Sequence, residues 1–203
     1  MLKKSEIIMP AGTGEAAKSA AGIATGDARW FIAECKPTRE RTLRQALTRF
    51  GYETFVCSQT ETHRYKSRNT RVVERIILPG KLFVHTEETR LMDIMLNFSG
   101  VYRFQKNRAA ALDANGLMPF AYVPEPQMEQ LKYMLGHAPN PVHFTAEQLK
   151  VNQRVRVLRG LLAGLEGWFE KVGQSSCIII KVEMGSSHYV YTELPTEDVQ
   201  PIE

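Results

Sequence analysis

No stretch of the 203 residues is apolar for the roughly 18 positions that a bilayer-spanning helix needs. The chain start carries Lys3 and Lys4 but lacks the apolar run of a secretory signal, so a cytoplasmic protein with no membrane partner is expected. Cysteine is scarce. Cys35, Cys57 and Cys177 are far apart and odd in number, which excludes a CxxC pair and a disulfide framework and fits a reducing compartment. His63, His85, His137, His143 and His188 fall at no zinc-binding spacing, so no metal is expected. There is no Gly-x-Ser-x-Gly elbow, Walker loop or Rossmann fingerprint. The sequence therefore predicts no catalytic residue, no cofactor and no enzyme activity.

What is present is the make-up of an ordinary globular protein, 43% hydrophobic and 24% charged. The net charge of +4 favours an anionic partner without naming it, since a solvated surface has the same balance. The asymmetry says more. Residues 28 to 125 carry 16 Lys and Arg against 10 Asp and Glu, whereas residues 148 to 203 are close to neutral. Contact with nucleic acid is expected in the first part.

Residues 1 to 27, rich in Ala, Gly, Ser and Thr, offer too little large apolar surface to offset the entropy of ordering and read as a disordered extension, with a partner-binding tail as the alternative. From Trp30 the pattern changes. Residues 30 to 35 are strand-like, and Pro37-Thr38 opens a helix in which Leu43, Ala46, Leu47 and Phe50 recur at helical spacing until Gly51. Residues 53 to 64 and 71 to 77 read as extended, joined by a polar basic tip, Arg64 to Arg71. Pro79-Gly80 breaks the run before the strand from Lys81 to His85, and Pro79 is expected at a bulge or edge. A helix near 88 to 97 and a strand at 101 to 104 complete an α+β sandwich, helices against an antiparallel sheet, over residues 28 to 123. Pro124 starts another helix, through Met128, Leu131 and Leu135 to Gly136, and the segment to 149 reads as its linker. Short strands then fill residues 150 to 203.

Within that last part, Gln153 to Arg159 alternates like a strand, Gly160, Gly164 and Gly167 punctuate a turn, and Trp168 to Val172 alternates again. This is how a small SH3-like β-barrel begins. Leu158, Leu161, Leu162, Leu165, Trp168, Phe169 and Val172 fit a helical stripe about as well, but the β-branched run Ile178 to Val182 favours the barrel.

The glycine-punctuated stretch, with Val155, Val157, Gly160, Gly164 and Gly167, resembles a KOW motif. Arg29-Trp30-Phe31-Ile32, the helix after Lys36, the segment Glu74 to Val84 with its Leu78-Pro79-Gly80-Lys81 core, and Gly100-Val101 with Phe104 resemble the layout of a NusG-family transcription factor. The whole reads as an N-terminal NGN-like sandwich followed by a KOW barrel. The helix with Met128 and the wording Gly-Leu-Glu-Gly are most similar to the UpxY-type specialised paralogues of Bacteroidota, which implies antitermination in polysaccharide operons.

The resemblance implies binding to the clamp helices of RNA polymerase, with Phe31, Ile77, Leu78, Pro79, Lys81, Phe83 and Phe104 as candidates. Leu78, Pro79 and Lys81 are those expected to be exposed, the others being equally suited to a core. Here Leu78 replaces the family's usual Phe and Lys81 its frequent Tyr, so two aromatic anchors are missing. Lys36, Arg39, Arg41, Arg44 and Arg49 are candidates for the non-template DNA strand or nascent RNA, as are Arg64, Lys66, Arg68 and Arg71, with a solvated basic face as the alternative. For the barrel the resemblance implies recruitment of the termination factor Rho or a small-subunit ribosomal protein, with Leu161, Leu162, Trp168 and Phe169 as candidates for the contact and burial in the barrel as the alternative for Trp168. A general elongation factor and a KOW-type ribosome-associated RNA-binding protein are the rivals, and a fold-switching C-terminal domain is a further possibility within the family.

Overall fold

The computed structural model describes residues 28–64, 70–149 and 153–202. In chain order the elements of the first part are β1 (Arg29–Cys35), α1 (Glu40–Arg49), β2 (Glu53–Phe55), β3 (Ser58–Arg64), β4 (Thr70–Ile76), β5 (Lys81–Thr86), α2 (Leu91–Asn97), β6 (Val101–Phe104) and β7 (Tyr122–Val123). There follow α3 (Glu125–His137), β8 (His143–Thr145), β9 (Gln153–Val157), β10 (Glu166–Val172), β11 (Ser175–Glu183), β12 (Ser187–Glu193) and β13 (Val199–Pro201). A single turn of tighter helix precedes α2 and another precedes β13.

The first sheet runs β2-β5-β1-β6, with β7 pairing the N-terminal half of β1 beside β6, all antiparallel. The single extended segment expected from 53 to 64 is divided. Pairing of β2 with β5 ends at Phe55, after which Val56 packs into the cluster under α1 and α2 and Cys57 into the one under α3. The chain therefore leaves the sheet there, and β3 pairs instead with β4 in a separate two-stranded ribbon. Pro79 is neither at a bulge nor on an edge; it lies in the turn that returns the chain from ribbon to sheet.

Alternation along β1 gives the sheet two apolar faces. Phe31, Ala33 and Cys35 join Leu82, Val84, Val101 and Phe104 beneath Leu43 and Leu47 of α1 and Leu91 and Ile94 of α2. Trp30 and Ile32, with Phe83, point the other way and are covered by Met128, Leu131, Met134 and Leu135 of α3. That helix contacts β1 and β3 on one side and β11 on the other. Its apolar residues thus spread around the axis instead of forming one stripe.

The SH3-like barrel is a six-stranded antiparallel sheet in the order β13-β9-β10-β11-β12-β8. Cys177 to Ile180 and Val182 are its buried centre, as the β-branched run predicts. Residues 158 to 172 form a turn and then β10, not a helix. Gly160 and Gly164 take φ of 80° and 90°, the left-handed region that side chains disfavour. Gly167 is required by close approach, since a Cβ there would fall 2.5 Å from the Ile179 carbonyl oxygen. The sixth strand, β8, comes from the segment expected to be a linker of limited flexibility. Apolar residues of both sheets and α3 form one continuous cluster that includes Trp30, Phe83, Leu131, Ile178 and Val190.

Candidate functional site

The site grows from the start of α1. The Arg39 N–H donates to the Lys36 carbonyl oxygen across a tight turn, which sets two cations on either side of one bend. Within it Thr38 has φ of 76°, an unusual value for a β-branched residue and the kind of local strain that functional turns retain. Helical spacing of about 100° per residue then sorts the basic side chains. Glu40, Leu43 and Leu47 face the core. Arg39, Thr42 and Ala46 fall on one flank, where with Lys36, Asn97, Phe98, Ser99 and Tyr102 they line an open groove of about 480 Å³. Leu43 and Gly100 form its floor, and a Cβ on Gly100 would press to 3.3 Å from Leu43 Cδ1. Phe98 is braced edge-on by Phe50 and Tyr52.

Arg41 points to the opposite flank. Its guanidinium pairs with Glu74 Oε2 at 2.9 Å and donates to the Glu74 carbonyl oxygen at 2.7 Å, tying α1 to the ribbon. Arg44, half-buried, follows on that same flank, while Arg49 is exposed in the last turn. The single basic face expected of this helix is therefore two, and only Lys36 and Arg39 of the set line the groove. On the ribbon Arg71 is exposed; the side chain of Arg64, and Lys66 and Arg68, lie outside the described residues.

The expected polymerase-facing set is dispersed. Phe31 (1% exposed) and Phe104 (2%) are core beneath the helices, and Phe83 (0%) is core beneath α3, because strand alternation sends all three inward. Ile77 and Leu78 are half-buried against the α3 cluster, and Pro79 is exposed. Lys81, expected to be exposed, is half-buried and donates to Glu34 Oε1 at 2.6 Å and to Gln105 Oε1 at 3.1 Å. The turn bearing Leu78 and Pro79 is held by Glu40, fully buried at the start of α1, whose Oε1 accepts the Gly80 N–H at 2.6 Å. Cys35 N–H donates to the Gly80 carbonyl, and Gly80 has φ of 75°. Sequence reasoning missed Glu40. Its only signal was a carboxylate in a first helical turn, and that position ordinarily means no more than a favourable dipole contact.

Glu34 sits between Lys81 and Arg103, whose Nε lies 2.5 Å from Glu34 Oε2. Burial works against the Glu34 charge, but hydrogen bonds and charge from Lys81 and Arg103 outweigh it and hold the carboxyl below its usual 4.5. A depressed folded-state value stabilises the protein above the unfolded value and loses that contribution as pH falls through the folded one. Thermal melts should therefore show Glu34→Gln less stable than the parent at neutral pH, with the gap closing below about pH 4. Burial also raises the Cys35 thiol to about 11 and the Cys57 thiol to about 12, so neither is a reactive thiolate at neutral pH.

In the second sheet Val155 and Val157 are buried, and so, against expectation, is Leu162; Leu161 is 63% exposed, and Trp168 and Phe169 are half-buried. Leu162 turns inward because the Gly160–Gly164 turn folds back on Val157, the Gly164 N–H donating to its carbonyl oxygen. Among the described residues no three His, Cys, Asp or Glu gather as a metal site would need.

An α+β protein of two main sheets and a ribbon, with a cationic, aromatic-lined groove, is the class so defined. Residues 28–130, more than half of the chain, match the family described as transcription termination factor nusG. The chain belongs to the NusG family of transcription factors, which are not enzymes. No curated protein matches the sequence. Among solved structures, one titled "Domain interaction in Thermotoga maritima NusG" is similar at 14% identity, covering 87% of this chain and 98% of that one, with a TM-score of 0.39. Another, of the MjSpt4:Spt5 complex in conformation A, is similar at 11% identity over 86% of this chain and 98% of that one, with a TM-score of 0.27.

Proposed function

We propose that this protein is a transcription elongation and antitermination factor that binds the clamp helices of RNA polymerase and suppresses pausing or termination, in the manner of the UpxY-type paralogues that serve polysaccharide operons. The observation that carries the reading is the groove beside α1, where Lys36 and Arg39 flank aromatic side chains. Cations along a backbone path with rings for stacking are what an unpaired strand requires, and the non-template DNA strand is the ligand proposed. The polymerase contact is assigned to the Leu78-Pro79 turn, because Phe31, Phe83 and Phe104 are committed to the core. The buried Glu40 bond to Gly80 keeps that turn in one shape, which lowers the entropy lost on docking.

The test is capture of this protein by isolated polymerase clamp helices. Wild type should bind and Leu78→Asp should bind at least tenfold more weakly, since a carboxylate would be desolvated at a central anchor. Failure of wild type to bind would remove the polymerase reading. A second reading, general elongation with Rho or a ribosomal protein as the recruit, rests on exposed Leu158 and Leu161 at the tip of the second sheet. Capture of either partner through that tip would favour it.

A further inference from the structure

The chain between α3 and the second sheet is bonded on both sides. On one side stands Gln59 of the ribbon, which is almost fully buried. Its Nε2 donates to the carbonyl oxygens of Ala138 and Asn140 at 3.2 and 3.0 Å, and its Oε1 accepts the Val142 N–H at 2.9 Å. Arg75 Nη2 adds a bond to the Val142 carbonyl oxygen at 3.1 Å. On the other side stands Thr192 of β12, fully buried, whose hydroxyl is shared between the carbonyl oxygens of Asn140 and Pro141 at 3.3 and 3.2 Å. Asn140 Nδ2 donates to the Glu193 carbonyl oxygen at 3.1 Å, and three residues later β8 pairs with β12 in register.

A second set of contacts closes the same junction elsewhere. The Glu183 N–H, at the end of β11, donates to Gln127 Oε1 of α3 at 2.8 Å, and Gln105 Nε2 donates to the Met184 carbonyl oxygen. Gly185, with φ of 76°, brings the β11–β12 turn so close to the first part that a Cβ would fall 2.8 Å from the Lys106 carbonyl oxygen and 3.0 Å from Ala121 Cβ.

We infer that residues 138 to 145 are a strap that locks the two sheets into one rigid body, with the Gly185 turn as its second point of attachment. A linker of ordinary composition leaves domains free to move, and domain interfaces are mobile by default unless large and apolar. Here the interface is continuous with the core. The sheets cannot part without breaking either the Gln59 and Arg75 bonds or the Thr192 and β12 bonds to the strap, and without exposing the apolar cluster the two sheets share. The second sheet is thus not an arm swinging on a tether. Whatever binds it meets a surface fixed with respect to α1 and its groove. The inference does not depend on the identity of any partner.

Nitrogen-15 relaxation on the full chain decides it. Amides of β1 and β5 and those of β10 and β11 should report one common tumbling time, that of the whole 23.0 kDa protein. In the double variant Gln59→Ala, Gly185→Ala the two groups should separate, each tumbling faster, while both sheets keep their own amide patterns. Two tumbling times in the wild type would overturn the inference, as would a folded double variant that still tumbles as one. Should that variant fail to fold, residual dipolar couplings on the wild type serve instead: one alignment tensor for both sheets supports the strap, and two refute it.

Discussion

Reversing charge at both Lys36 and Arg39 is expected to cut affinity for single-stranded DNA by about tenfold or more at low salt, and to flatten the salt dependence. Each phosphate contact contributes roughly 0.7 to the slope of log affinity against log salt on a single strand, so losing two should lower the slope by about 1.4. Fluorescence anisotropy with a labelled oligonucleotide at several salt concentrations measures both. Neither side chain is buried, so melting should be unaffected. The companion reversal of Arg41 is expected to behave differently. It breaks the ion pair to Glu74 that joins α1 to the ribbon, and its effect belongs to local order and not to the DNA slope. An unchanged slope in the Lys36, Arg39 variant would leave the groove as a merely solvated basic surface.

Leu131→Ala is expected to be the most damaging of the conservative core changes, at about 2 to 5 kcal/mol out of a total stability of about 5 to 15. Leu131 is fully buried in α3, with the first sheet on one side and β11 on the other. A cavity at that point has no flexible surface into which it can collapse, and it weakens both layers together. Urea denaturation followed by tryptophan fluorescence should register the loss, since Trp30 lies under α3 with its indole N–H donating to Glu125 at 2.7 Å and Lys132 over its ring. A loss of less than about 1 kcal/mol would mean that α3 is not the shared centre of the core.

Much of this architecture was readable from residue periodicity. Leu43 and Leu47 announced the inner face of α1, and the Ile178 to Val182 run announced the buried centre of the second sheet, because each carries a local repeat that packing merely completes. Gly160 and Gly164 were legible as local turn requirements, whereas the need for Gly167 comes from the Ile179 carbonyl on the neighbouring strand. What escaped was information held in pairs of distant residues. Nothing local distinguishes Gln59, a polar residue in a polar strand, from its solvent-exposed neighbours; its meaning appears only when residues 138 to 142 arrive beside it. Glu40 is the same case, with Gly80 as the absent partner. Phe31, Phe83 and Phe104 were left open between a partner contact and the core, and the structure places them in the core. Apolar strand residues look alike whether they meet a partner or the molecule's own helices, and here they meet the helices and the strands beneath them.

The strand that the connector lends to the second sheet has one more effect. β8 and β13, which terminate the two sides of that sheet, are three residues each, and β13 ends in Pro201, which has no N–H to offer. The centre of β12, Tyr189 to Tyr191, and the end of β9, Val155 to Val157, are thereby paired, which shortens the row of free backbone groups that a neighbouring strand could use on either side of that sheet. The segment that joins the two halves of the protein thus also blunts the β12 edge of the second sheet against strand addition.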